Sequence, residues 1–181
     1  MAHVSARDLE AARIEATVQL HALQPQAIIT IERPGLAADS CYYNMRGEDI
    51  TAHCVCFDPF ISQADCPTIA IGDGGNEIGM GNIASALDGL DISASVTRCD
   101  ELLVADVSNW GAYGLIAFLA LWAGQDLLAS VSPVALLNYL SARGSVDGVT
   151  GENTLTEDGL QVWQGLRVIA ALRALTKFSP S

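Results

Sequence analysis

Three short apolar, β-branched runs, each passing straight into a polar loop, constrain this chain more than any other feature. They are Ala27-Ile28-Ile29-Thr30-Ile31 leading to Glu32-Arg33-Pro34-Gly35, Thr68-Ile69-Ala70-Ile71 leading to Gly72-Asp73-Gly74-Gly75, and Leu102-Leu103-Val104-Ala105 leading to Asp106-Val107-Ser108-Asn109. Such runs are of the type buried in parallel sheets. Between and after them lie helix-like stretches: Ala6 to Leu23, part of Ile50 to Ala64, Ile78 to Leu87, Tyr113 to Leu128, Pro133 to Ala142 and Gly159 to Leu175. In the first, Leu9, Ile14, Val18 and Leu20 predict an amphipathic helix. The alternation predicts an α/β fold, a three-layer domain with a mostly parallel β-sheet flanked by helices. Ligands of open parallel sheets sit beyond the carboxyl ends of the strands, so the three polar loops are expected to share one rim.

A chain of 181 residues fits one domain, 1–181, and half of its residues are hydrophobic, which excludes disorder. Gly144 to Gly151 is the loosest segment and is too short to separate domains. The net charge of -12, from 21 acidic and 9 basic residues, opposes binding to nucleic acid or to anionic membranes. The most apolar run, Leu115 to Ala123, falls short of the roughly 20 residues that cross a bilayer and predicts a buried helix. Arg7, Asp8, Glu10, Arg13 and Glu15 interrupt any signal-peptide core. The five cysteines are odd in number and form no C-x-x-C pair. They read as reduced thiols of a cytoplasmic protein, and none of His3, His21 or His53 marks an activating base for a nucleophilic thiol. Excess apolar surface would suit a homo-oligomer.

The stretch GDGGNEIGMG, Gly72 to Gly81, is the expected functional centre. Its glycines allow positive φ and close backbone approach, and amides at the start of a following helix would offer an oxyanion site. Asp73, Asn76 and Glu77 are oxygen donors of the sort preferred by hard divalent ions, so Mn²⁺ or Mg²⁺ is the expected cofactor and no organic one is indicated. The stretch fails as a dinucleotide fingerprint, since G-x-G-x-x-G from Gly72 needs glycine where Glu77 stands. A purely structural turn is the competing reading.

Two further constellations flank it. Glu32-Arg33-Pro34-Gly35 leads to Tyr42-Tyr43-Asn44-Met45-Arg46-Gly47, and the guanidinium groups of Arg33 and Arg46 suit a carboxylate substrate; an internal Glu–Arg pair under packed tyrosines explains them equally well. Ser108-Asn109-Trp110-Gly111 places Ser108 and Asn109 where either caps a helix or donates to a substrate carboxylate. Asp147-Gly148-Val149-Thr150-Gly151 reads as an ordinary turn or as another acidic contribution.

Taken in order, ITIERPG, YYNMRGEDI, TIAIGDGGNEIGMGN, VSNWGAYGL and VDGVTG resemble the signature blocks of the D-glutamate cyclase C-terminal domain family, over about Ala27 to Leu160. The resemblance implies lyase chemistry: the amino group of D-glutamate attacks its own γ-carboxyl carbon and water leaves, giving 5-oxo-D-proline. For such a reaction the chemistry of the residues themselves assigns Asp73 and Glu77, with Asn76, to metal or acid–base roles, and Arg33, Asn44 and Arg46 with Ser108 and Asn109 to substrate contacts. Glu32 is then the base for the ammonium group, so Glu32, Asp73 and Glu77 form the expected catalytic set. Leu36 stands where the family usually has arginine, and Asp106 where it has glycine. Further α/β structure usually precedes the block that begins here at Ala27, which predicts a shortened form. The alternatives are a divalent-metal-dependent phosphatase and a catalytically silent homologue that binds a metabolite.

Overall fold

The computed structural model describes residues 5–178; His3 lies outside them. These residues fall into two compact units that divide after Ser108.

The first unit contains α1 (Leu9–Leu23), β1 (Ile28–Ile31), α2 (Asp58–Ser62), β2 (Thr68–Gly72), α3 (Ala84–Leu87) and β3 (Glu101–Val104). The three strands form an all-parallel sheet in the order β1-β2-β3. Ile28 aligns with Thr68 and Ile31 with Ile71, while Ile69 aligns with Glu101 and Gly72 with Val104. The expected α/β class and its parallel sheet with flanking helices are therefore present. The central strand is the most enclosed, with Ala70 and Ile71 fully buried, as a strand paired on both edges requires.

One prediction about α1 is corrected. Asp8 accepts from the Ala11 amide and starts the helix as its N-cap. The buried positions are Ala12 and Ala16, whereas Ile14 and Val18 are about two-thirds exposed, at 64% and 63%. Close packing selects the small side chains: Ala12 sits in a cluster with Tyr42 and Cys56, backed by Leu9 and Leu36. The helix expected over Ile78 to Leu87 is also broken up. Gly79 adopts φ 97°, a 3₁₀ turn follows at Met80–Ile83, and only Ala84–Leu87 is α-helical. The left-handed glycine interrupts the helical path.

The second unit contains most of α4 (Ser108–Ala123), then α5 (Pro133–Ser141), the two-residue strands β4 (Thr156–Glu157) and β5 (Leu160–Gln161), and α6 (Val162–Leu175). Its core is Tyr113, Ala117, Leu128 and Ile169. The expected helix from Gly159 instead starts at Val162, because Asp158 and Gly159 both take positive φ, 49° and 74°, and turn an antiparallel hairpin. The expected buried helix is likewise corrected: α4 buries Tyr113, Ala117 and Ala120 along one stripe, but Phe118 is 72% and Trp122 89% exposed. Among the described residues no helix is long and apolar enough to cross a membrane.

Candidate active site at the strand ends

The carboxyl ends of the three strands bring their loops together as the parallel topology requires. Glu32 continues the β1 ladder by donating its amide to the Ile71 carbonyl at 2.9 Å, and it holds φ 52°. This left-handed conformation is uncommon for a side-chain-bearing residue. Asp73 follows β2, and one carboxylate oxygen of Glu32 and one of Asp73 lie within 4.8 Å of each other. Ser108 follows β3; its amide and its hydroxyl both donate to Asp73 Oδ2, at 2.8 and 3.0 Å. The hydroxyl expected as a helix cap is thus directed to Asp73.

The glycine loop is built around Glu77. This residue is 3% exposed. Its Oε1 accepts from the amides of Asp73 at 3.3 Å and Gly74 at 2.9 Å, and its Oε2 from the amide of Gly75 at 2.8 Å. Successive amides that converge on one point make an anion nest; here the chain supplies the anion itself. The expected oxyanion site is therefore filled from within, and no regular helix N-terminus follows the loop. Glycine at 72 leaves room for this carboxylate, since a Cβ there would lie 3.1 Å from Glu77 Cδ and 2.7 Å from Met80 Cε. Glycine at 75, with φ 96°, supplies the left-handed step of the turn.

The neighbouring loops brace this turn. The Gly35 amide donates to the Asn76 carbonyl and the Ile78 amide to the Arg33 carbonyl, with an antiparallel bridge between Pro34 and Glu77. Asn76 is 8% exposed; its Nδ2 donates to the Tyr43 carbonyl at 2.8 Å, while its Oδ1 is buried without a partner. Met45 packs so closely on Gly74 that a Cβ there would collide with the Met45 sulfur.

The remaining expected residues sort differently. Arg33 donates to the Val55 carbonyl at 2.8 Å and lies over the Phe57 ring, 5.7 Å from its centre, so its guanidinium faces that segment. Asn44 closes a local turn: its Oδ1 accepts from the amides of Arg46 and Glu48 and its Nδ2 donates to Glu48 at 2.6 Å. Arg46 is exposed and its guanidinium has no partner among the described residues. In the second unit Asn109 donates to Glu157 at 3.4 Å, alongside Trp110 Nε1 at 3.2 Å and the Tyr113 hydroxyl at 3.3 Å. Burial, then the Glu157 charge, pushes the Tyr113 hydroxyl up to about 12.

Sequence reasoning missed two buried acids. Asp58, 5% exposed, accepts from the Leu36 amide at 2.8 Å, the Tyr42 hydroxyl at 2.5 Å and the Thr97 hydroxyl. Burial and this carboxylate push Tyr42 far above its ordinary range. Glu157 is the other, and no local spacing marks either of them as internal. The cysteines carry no sign of activation: none is in a disulfide, and burial pushes the thiols of Cys54, Cys56 and Cys99 up.

Residues 2–173 match the family described as D-glutamate cyclase-like, C-terminal. The chain is also similar to the mitochondrial D-glutamate cyclase of Homo sapiens, with 40% identity over 103 residues. That match covers 51% of this chain and 16% of the relative, so the chain spans a small fraction of the relative's length.

Proposed function

The chain belongs to the D-glutamate cyclase-like, C-terminal family, and from that premise we propose that it is a lyase converting D-glutamate to 5-oxo-D-proline with a divalent cation beside Asp73. The observation that carries this reading is the approach of the Glu32 and Asp73 carboxylates to within 4.8 Å at the ends of β1 and β2. Two carboxylate oxygens are the donor type that Mn²⁺ or Mg²⁺ prefers, and the partnerless buried Oδ1 of Asn76 adds a further oxygen in the same loop. Asp73 and Glu32 would hold the ion, and when bound it supplies Lewis acidity to the γ-carboxylate. Glu77 serves as a positioning residue, because both its oxygens are directed into the loop.

The reaction forms a C–N bond, breaks a C–O bond and moves two protons from nitrogen to the departing oxygen, which leaves as water. Glu32, exposed at the strand end, would offer one oxygen to the ion, and its other oxygen takes the proton that frees the amine for attack. Arg46, whose guanidinium has no partner among the described residues and whose neighbour Met45 touches the loop, grips the α-carboxylate. Holding nitrogen against the γ-carbon supplies the orientation advantage of an intramolecular reaction. The phosphatase alternative draws no support from the loop, because its amides are already taken by Glu77.

The test is incubation of the purified chain with D- or L-glutamate in Mn²⁺, Mg²⁺ or EDTA, followed by chiral chromatography. The expected result is 5-oxo-D-proline from the D-enantiomer, lost in EDTA. No product from either enantiomer would overturn the proposal, and thermal stabilisation by D-glutamate without product would assign a binding role instead.

A further inference from the structure

Arg13 and Arg98 are two of only nine basic residues in a chain with a net charge of -12. Four guanidinium groups are engaged by oxygen acceptors: Arg7 donates to the Ala52 carbonyl, Arg33 to Val55 and Arg143 to Tyr139, while Arg173 pairs with Asp126. The guanidinium groups of Arg13 and Arg98 have no hydrogen-bond or ion-pair partner among the described residues. Both line one cavity of about 440 Å³ in the first unit.

Leu36 and Val96 give that cavity apolar lining, and Ser40 and Ser62 contribute hydroxyls. Arg13 reaches it from the helical turn after Leu9, as residues four apart on α1 share a face. Asp58 also lines the cavity, but three donors from Leu36, Tyr42 and Thr97 already satisfy its carboxylate. Two cations without a partner thus share a concave surface that also has apolar walls.

We propose that this cavity binds a small organic dianion, with Arg13 and Arg98 on its charged oxygens and its carbon body against Leu36 and Val96. It shares no lining residue with the Asp73 loop, and the proposal is independent of the cyclase reading. Thermal unfolding at constant ionic strength with inorganic phosphate, succinate or chloride tests it, on the wild-type chain and on R13Q, R98Q, R13Q/R98Q and D73N.

A saturable rise in Tm with phosphate or succinate over chloride is expected. Half-saturation should weaken about tenfold in either single variant, the size of one lost charge-assisted contact, and the response should vanish in the double variant. D73N should respond like wild type. Response to one dianion alone assigns phosphate esters or dicarboxylates as the class. No saturable rise, an undiminished rise in R13Q/R98Q, or its loss in D73N would overturn the proposal. Both arginines are exposed, so their replacement leaves folding intact.

Discussion

Asp73 holds Ser108 twice through a single oxygen: Oδ2 accepts the Ser108 amide at 2.8 Å and its hydroxyl at 3.0 Å. The acid that ends β2 is thereby oriented by the residue that follows β3. Ser108→Ala keeps the amide bond and removes the hydroxyl bond. It should cost about 1 kcal/mol in denaturant unfolding and lower D-glutamate turnover about tenfold through a less fixed Asp73. Asp73→Asn should abolish metal-dependent turnover while unfolding stays cooperative.

Glu32 and Glu77 separate a facing carboxylate from an inward one. Glu77→Gln replaces one acceptor oxygen by a donor amid three converging amides, so a loss of about 2 kcal/mol or more is expected in urea melts. Glu32→Gln lies at an exposed position and should change stability by less than about 0.5 kcal/mol while abolishing product formation. Equal stability losses in the two variants would contradict this division.

Two glycines give opposite expectations for the same substitution. Gly79 has φ 97° and a Cβ there would stand 2.6 Å from Ala70 Cβ in the central strand, so Gly79→Ala should destabilise by roughly 2 kcal/mol or more. Gly114 lies inside α4 with nothing within 4 Å of an added Cβ. Gly114→Ala should raise stability by about 0.5–1 kcal/mol through helix propensity alone. Thermal melts of the two variants check both signs.

The acid limb of stability should show Asp147. Burial alone would raise this carboxyl, but bonds from the Thr156 hydroxyl and from the amides of Thr150, Gly159 and Val149 outweigh it and hold the group at about 2, below its ordinary 3.8. A depressed folded value contributes stability that is complete above about pH 4 and lost as pH falls through about 2. The Tm difference between wild type and Asp147→Asn should therefore be constant above pH 4 and shrink toward pH 2.

The strands and their loops were legible because β-branched runs ending in glycine, proline and acids are local signals, and β1, β2 and β3 fall within one residue of the expected runs. The convergence of Glu32, Asp73 and Ser108 followed from parallel topology alone. What escaped notice depends on direction. Apolar periodicity favoured Ile14 and Val18, whereas α1 buries Ala12 and Ala16 because close packing needs small side chains. Glu77 resembles a ligand in sequence, yet its side chain turns inward onto the amides of its own loop. Asp58 and Glu157 look like solvated acids until distant donors, Thr97 for one and Trp110 for the other, are brought to them. The Asp158-Gly159 turn was a readable hairpin signal, obscured by strands only two residues long.

Because residue 77 closes the amide nest from within the same chain, the backbone around residue 73 needs no occupant to keep its shape. Position 73 is in that sense a tip on a self-supporting mount, tied across the rim through Ser108. A panel of side chains there, with Glu77 kept, would survey which ions and substrates the strand ends accept without refolding the scaffold beneath.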